Sequence, residues 1–395
     1  MPFIGNKPTS VPLTSADIQD GTITASDIAD TTITAAKLAS GTVQNQSAFK
    51  NIIINSDMSI AQRSTSASSI TSGGYHACDR WKEDMTSAGT WTISQSTTVP
   101  TGQGFATSLK MDCTTANGSL SANSELMVQQ RLEGQMLQYL KKGTSDAVST
   151  TLSFWVRSNK TGTYICELQD VNNTRQISKS YTISSADTWE KKTITFPGDT
   201  TGALDNNNAR SLDCSFYLAA GSDLSSGTLS TTWTAKTDAN RAVGQVNLAD
   251  STSNEWYVTG VQYEVGTSAS DFEFLPKDVN LRRCQRYFQK TYNLDTAPGT
   301  STDVGVGWNG GSSDTAGNVS YLPNFMTSMR TSPTVTGYAR DGTSGQGYFN
   351  RSGTAGNGTF NSHMRGENSV SVYIALGGNN VVGTVAAHVT MEAEL

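Results

Sequence analysis

An all-β fold follows from three features of this 395-residue sequence. Ser, Thr, Gly and Asn dominate, while only 16% of residues are charged, against roughly 25% in an average globular domain. Short segments alternate apolar and polar residues with the period of a strand. Clusters of Asn, Gly, Ser and Asp, the residues that turn a chain most easily, separate those segments. With 28 basic and 34 acidic residues the net charge is −6, and no Lys/Arg cluster points to nucleic acid. No run of about 20 apolar residues spans a bilayer, and no basic stretch followed by an apolar run marks a secretory leader. Five scattered Cys without CxxC spacing are expected to be buried, reduced thiols.

Residues 1–13 carry Phe3, Ile4, Val11 and Leu13 without periodicity. They are expected to be a peptide that orders on docking to a partner protein. Residues 14–48 contain three decamers, SADIQDGTIT, ASDIADTTIT and AAKLASGTVQ, with Ile18, Ile23, Ile28, Ile33, Leu38 and Val43 recurring every five positions. Five fits neither a continuous strand nor a helix, so short capped turns alternating with Thr-Ile-Thr strands form the expected stalk. Thirty such residues bury no core alone, and sister chains are the simplest neighbours. A flexible linker with accidental periodicity is the competing reading.

Residues 49–283 hold the strand patterns: Leu152, Phe154 and Val156 against Ser153, Trp155 and Arg157; Leu212, Cys214, Phe216 and Leu218 against Asp213, Ser215 and Tyr217; Ile194 and Phe196; and a longer strand over 255–265 with a bend at Gly260. One short helix is expected over 134–143, where Met136, Leu137 and Leu140 share a face and Gly143 ends the run. Eight or more strands in this length suggest a jelly-roll sandwich. Residues 284–395 show sparse strands over 286–292, 333–336, 369–374 and 385–391. Their lean apolar content suggests a β module buried against other chains, intertwined at the tip of a homotrimer.

Four landmarks give this chain a family resemblance. They are Asn51 to Asp57 with Gln62 and Arg63; Tyr75 to Trp81; Gly260 to Gly266 with Phe272 and Glu273; and Cys284 to Phe288. Over roughly residues 50–290 the chain resembles bacteriophage tail-fibre and other virion proteins that carry a jelly-roll, carbohydrate-binding-like module. Ala61 stands where that family often places Trp. Phe325 to Val335 looks like the opening of the family's C-terminal β module, and the decamers are similar to the proximal part of marine phage fibres. The resemblance implies a non-enzymatic virion protein, made in the bacterial host cytoplasm. It would dock on other tail proteins (adaptor, nozzle or tube) by its N-terminus and bind a host glycan or outer-membrane receptor. A capsid decoration or tail-sleeve protein without receptor binding is the alternative, and a glycan-depolymerising tailspike stands third.

The residues themselves admit two readings at several places. Asp79, Arg80 and Trp81 could clamp a sugar by stacking and charge-assisted hydrogen bonds, or tie a strand end and fill the core. Gln262 and Glu264 pose the same choice. Arg282, Arg283 and Arg286 suggest a solvated or inter-chain face with carboxylates such as Asp278 opposite. Glu167, Asp170, Asp213, Glu255 and Glu264 are the carboxylates from which a glycosidase pair would be drawn. A Ca²⁺ site among turn carboxylates has no assignable spacing, and no other cofactor is expected. Receptor contact is expected on loops between 339 and 368, at Tyr348, Arg351, Phe349, Tyr338 and Arg365, where rings and donors suit a sugar. Tyr348 and Arg351 are expected to be exposed, whereas Phe349 and Phe360 equally suit a trimer interface.

Overall fold

The computed structural model describes Thr24 and residues 49–314, 317–376 and 380–395. The docking-peptide residues Phe3, Ile4, Val11 and Leu13 and the decamers lie outside the described residues. Residues 49–395 form one compact unit, built of a two-sheet sandwich followed by a curled sheet.

The sandwich strands are β1 (Ser66–Ile70), β2 (Lys82–Thr86), β3 (Thr90–Ser96), β4 (Ser108–Thr115), β5 (Glu125–Glu133), β6 (Thr150–Ser158), β7 (Gly162–Asp170), β8 (Arg175–Ile183), β9 (Glu190–Phe196), β10 (Arg210–Ala220), β11 (Thr234–Ala235) and β12 (Glu255–Val265). They pair antiparallel in the orders β1-β3-β4-β12-β6-β9 and β11-β8-β7-β10-β5-β2. Inward residues meet between the sheets. Phe154 of one sheet lies edge-on to Phe216 of the other at 4.9 Å between ring centroids, and Trp81, Trp91 and Trp256 are fully buried around them. Burying rings of this size is the main source of cohesion.

Two local expectations need correction. The expected helix over 134–143 is instead two 3-10 turns, Gly134–Met136 and Gln138–Leu140. The Gly134 and Gln135 amides donate to the Ala209 and Asn207 carbonyls rather than along a helix, and a side chain at Gly134 would collide with the Asp205 carbonyl. The longer helix, α1 (Lys277–Gln285), lies where the Arg282 and Arg283 cluster was read. The second concerns β10, where Asp213, Ser215 and Tyr217, the other side of the alternation, are buried as well. Tyr217 is covered by Leu224 and Ala242 from the segment after the strand.

The C-terminal sheet comprises β13 (Phe288–Lys290), β14 (Gly307–Ser312), β15 (Asn318–Tyr321), β16 (Thr334–Tyr338), β17 (Gln346–Arg351), β18 (Thr354–His363), β19 (Ser371–Ala375) and β20 (Val382–Glu392). The span 339–368, expected as loops, is mostly the β17–β18 hairpin. β20 is the spine: β13 and β16 flank its C-terminal half, β14 and β17 its N-terminal half. From β17 the order runs β18, β19, β15, and the sheet curls until the Asn309 side chain of β14 donates to the Ser320 carbonyl of β15 at 2.7 Å. Inside lie Val319, Ile374, Val385, Ala387, Val389 and Met391, so a single chain encloses a core here. Close packing at its wall requires glycine at 337, where a Cβ would stand 2.2 Å from the Phe360 ring.

Charged residues join the sandwich to the curled sheet. Arg80, fully buried, pairs with Glu394, donates to the Arg131 carbonyl at 2.6 Å and lies 3.5 Å above the Tyr287 ring. Burial alone would lower the Arg80 pKa, but the Glu394 charge more than offsets it and the group is held firmly protonated. Arg63 pairs with Glu394 at 3.2 Å and covers the Phe288 ring at 3.9 Å. Arg286 binds Glu133 through two 2.8 Å hydrogen bonds, so Glu133, not Asp278, is its carboxylate. Removing one partner of a buried pair strands the other's charge. Arg80→Ala should therefore cost roughly 3–5 kcal/mol in urea unfolding, whereas Trp308→Ala, at an exposed ring, should stay within about 0.5 kcal/mol.

Candidate functional site

Strand alternation along β20 sends Val385, Ala387 and Val389 into the core and leaves Thr384, Ala386 and His388 on the outer face. Register then places a row of four residues across four strands: Trp308 opposite Ala386, Ala386 opposite Tyr348, and Tyr348 opposite Asn357. The small Ala386 is the floor between two rings. Trp308 is 70% exposed, and Tyr348 is half-buried. The groove between them, about 340 Å³, is also lined by Asp303, Val306, Arg340 and Thr384. A second hollow of about 370 Å³ continues past Tyr348 to Asp341 and Asn357.

Charged groups fix this groove. Arg340 lies 4.7 Å from the Tyr348 ring and forks onto both oxygens of Asp303. That hydrogen-bonded pair holds the Asp303 carboxyl below its ordinary range and raises Arg340. Asp341 accepts from the Thr343 amide at 3.0 Å and from the Asn357 side chain at 2.8 Å, which lowers its pKa as well. Beside the groove Tyr292 stacks on His388 at 3.7 Å. The His388 ring meets the Thr302 carbonyl through Nε2 at 3.0 Å, and burial, the largest influence, lowers its pKa. An aromatic platform with a few fixed polar groups is how a protein holds a flat, hydroxylated ring.

The candidates read from sequence separate. Tyr348 enters the groove. Arg351, three positions along the same strand, falls on the opposite face, with its guanidinium 5.9 Å from the Phe349 ring; both Tyr348 and Arg351 are half-buried rather than open. Phe349 packs on the core of the curled sheet. Tyr338 pairs with His388 in the next row and meets Tyr292 edge-on. Arg365 is exposed in the turn beyond β18, where its carbonyl accepts from Ser332. Sequence reasoning missed Trp308 and Asp303; the available signal was an isolated Trp in the Gly-rich run Gly305 to Gly311, with no apolar partners to bury it.

The Asp79, Arg80 and Trp81 landmark lies inside. Asp79 accepts from the Gln62 amide at 2.8 Å, Trp81 donates to the Asn55 carbonyl at 3.0 Å, and neither they nor Arg80 exceed 1% exposure. That placement leaves a tied strand end and a filled core, with no face for a sugar. Gln262 donates to Glu264 at 2.8 Å, and Glu264 accepts from the Ser270 amide at 2.9 Å, which ties the following segment to β12. The other carboxylates are also engaged: Glu167 with Arg241, Asp213 with Arg210, Glu255 with Lys110 and Arg157, and Asp170 with Lys142. Lys142 sits among Asp170, Asp199 and the Thr201 and Gly202 carbonyls, an oxygen cage already holding a cationic side chain. All five Cys are buried free thiols.

No known family model matches the chain, and no curated protein sequence does. Among solved structures, the bacteriophage CBA120 tailspike protein 4 enzymatically active domain is similar at 13% identity and a TM-score of 0.31, over 55% of this chain and 22% of that one. The chain thus spans about a fifth of that tailspike domain's length. A putative sugar binding protein from Bacteroides thetaiotaomicron matches at 14% identity and a TM-score of 0.31, over 55% of this chain and 100% of that one. The N-terminal cellulose-binding domain of Cellulomonas fimi β-1,4-glucanase C matches at 12% identity and a TM-score of 0.27, over 48% and 90%. No inference about ligand or chemistry rests on likenesses this distant.

Acid should loosen the curled sheet through His388. A folded pKa held below 6.5 means the unfolded chain binds the proton first, so stability is complete above pH 6.5 and declines as pH falls toward the folded value. Thermal unfolding from pH 7.5 to 5 should show that decline, and His388→Phe, which keeps the stack on Tyr292, should flatten it.

Proposed function

We propose that this chain is a non-enzymatic phage tail fibre protein that docks on the tail through residues 1–13 and recognises a glycan of the host surface through its C-terminal module. The observation that carries the reading is the groove between Trp308 and Tyr348. An exposed indole on a surface strand has no role in the core, and it stands across a small floor from a ring held by Arg340. Paired carboxylates throughout the sandwich favour a scaffold over a hydrolase, because a general acid needs a carboxyl free to exchange its proton. The resemblance of residues 50–290 to virion jelly-roll proteins supplies the setting. On this reading the assembly is a homotrimer in the virion, and three weak sites gain avidity on a repetitive surface.

Cell adsorption tests the reading. Trp308→Ala with Tyr348→Ala, in protein that melts like wild type, should lower adsorption at least tenfold. Unchanged adsorption would return the chain to a purely structural virion role. Light scattering should report three chains, and deletion of residues 2–12 should leave a folded oligomer that no longer enters virions.

A further inference from the structure

Trp308 has a second face. Beyond it, on the side away from Tyr348, lies a further hollow of about 670 Å³, between the β14 strand and the segment after β15. Val306 and Trp308 line both this hollow and the Trp308–Tyr348 groove, just as Tyr348, Arg340 and Asp303 line both that groove and the hollow reaching Asn357. Three depressions therefore follow one another across the outer face, with one aromatic ring at each divide. Tyr348 and Trp308 stand two strands apart, about 10 Å at ordinary strand spacing, and each of the three hollows opens to solvent.

Charge along this trough is sparse. Among the described residues, no charged side chain lines the 670 Å³ hollow; Leu322, Pro323, Met326, Asn309 and Asn324 are typical of it. The two smaller hollows hold two carboxylates, Asp303 and Asp341, against one guanidinium, Arg340, and Asp303 already claims that guanidinium through two hydrogen bonds. A uronate, sulfate or phosphate would meet net negative charge and, among the described lining residues, no uncommitted cation. Hydroxyls, by contrast, find acceptors on Asp303 and Asp341 and an amide on Asn357.

We infer that the trough takes an internal stretch of a linear, uncharged polysaccharide, with successive sugar rings on either side of Trp308 and Tyr348, rather than a single terminal or acidic sugar. This rests on the recognition reading above and specifies its ligand. An open run divided by rings gains contact with each added residue until the trough is full, whereas a terminal-sugar site is closed at one end and gains nothing beyond its first residue.

The test is calorimetric titration of the full chain with neutral hexose oligosaccharides of one to six residues, in α- and β-linked glucose, galactose and mannose series, beside oligogalacturonate and heparin oligosaccharides of the same lengths. At least one neutral series should tighten tenfold or more between one residue and four and then level off. Trp308→Ala, with unchanged melting, should lose at least tenfold for the tetrasaccharide. Preference for the uronate or sulfated series, a monosaccharide that binds as tightly as the hexamer, or no binding in any series would overturn the inference. Adsorption by the same variant separates the two failures. Adsorption that still depends on the rings leaves surface recognition standing while the neutral-chain inference falls, and adsorption indifferent to them removes both.

Discussion

The buried pairing of Arg80 with Glu394, seated on the Tyr287 ring, ties together the two halves of the described molecule. A guanidinium without water must have its charge answered inside the protein. Its partner lies just past the end of β20, so answering that charge draws the spine of the curled sheet against the sandwich. Arg63 on the same carboxylate and Arg286 on Glu133 repeat the arrangement along the joint. Planar, forked groups suit such a joint because each bond also sets an orientation, which an apolar seam of similar area would not do.

Everything on the outer face follows from how β20 is held. Its alternation gives Val385, Ala387 and Val389 to the core and Ala386 to the groove, and a slip of one residue would exchange them. A large side chain at 386 would close the space between Trp308 and Tyr348. The Asp303–Arg340 fork holds a long cationic side chain against Tyr348, so the groove is shaped before anything enters it. Pre-organisation of this sort limits the entropy lost on binding, which matters for ligands that offer little apolar surface.

Gln62, Arg63, Asp79, Arg80, Arg286 and Phe288 are the residues that meet at the joint. Their spacing in the chain reflects the geometry of a connection between modules, and the face offered to a ligand is built from other residues.

Sequence alone determined that the chain is all-β, and placed four of the sandwich strands, β6, β9, β10 and β12, because period-two burial writes itself directly into residues such as Leu152, Phe154 and Val156. It also named Tyr348 as a candidate contact, although the ring it expected to be exposed is half-buried. It could not place the hairpin β17–β18, whose Gly, Asn and Ser read as loop until neighbouring strands supply their hydrogen bonds and the Phe349 and Phe360 rings cover them. Nor could it turn 134–143 away from a helix, since the competing carbonyls of Asn207 and Ala209 lie some 70 residues further along the chain. The groove was beyond it for the same reason. Trp308, Ala386, Tyr348 and Asn357 belong to four strands, and only register, set by long-range pairing with β20, brings them into one row.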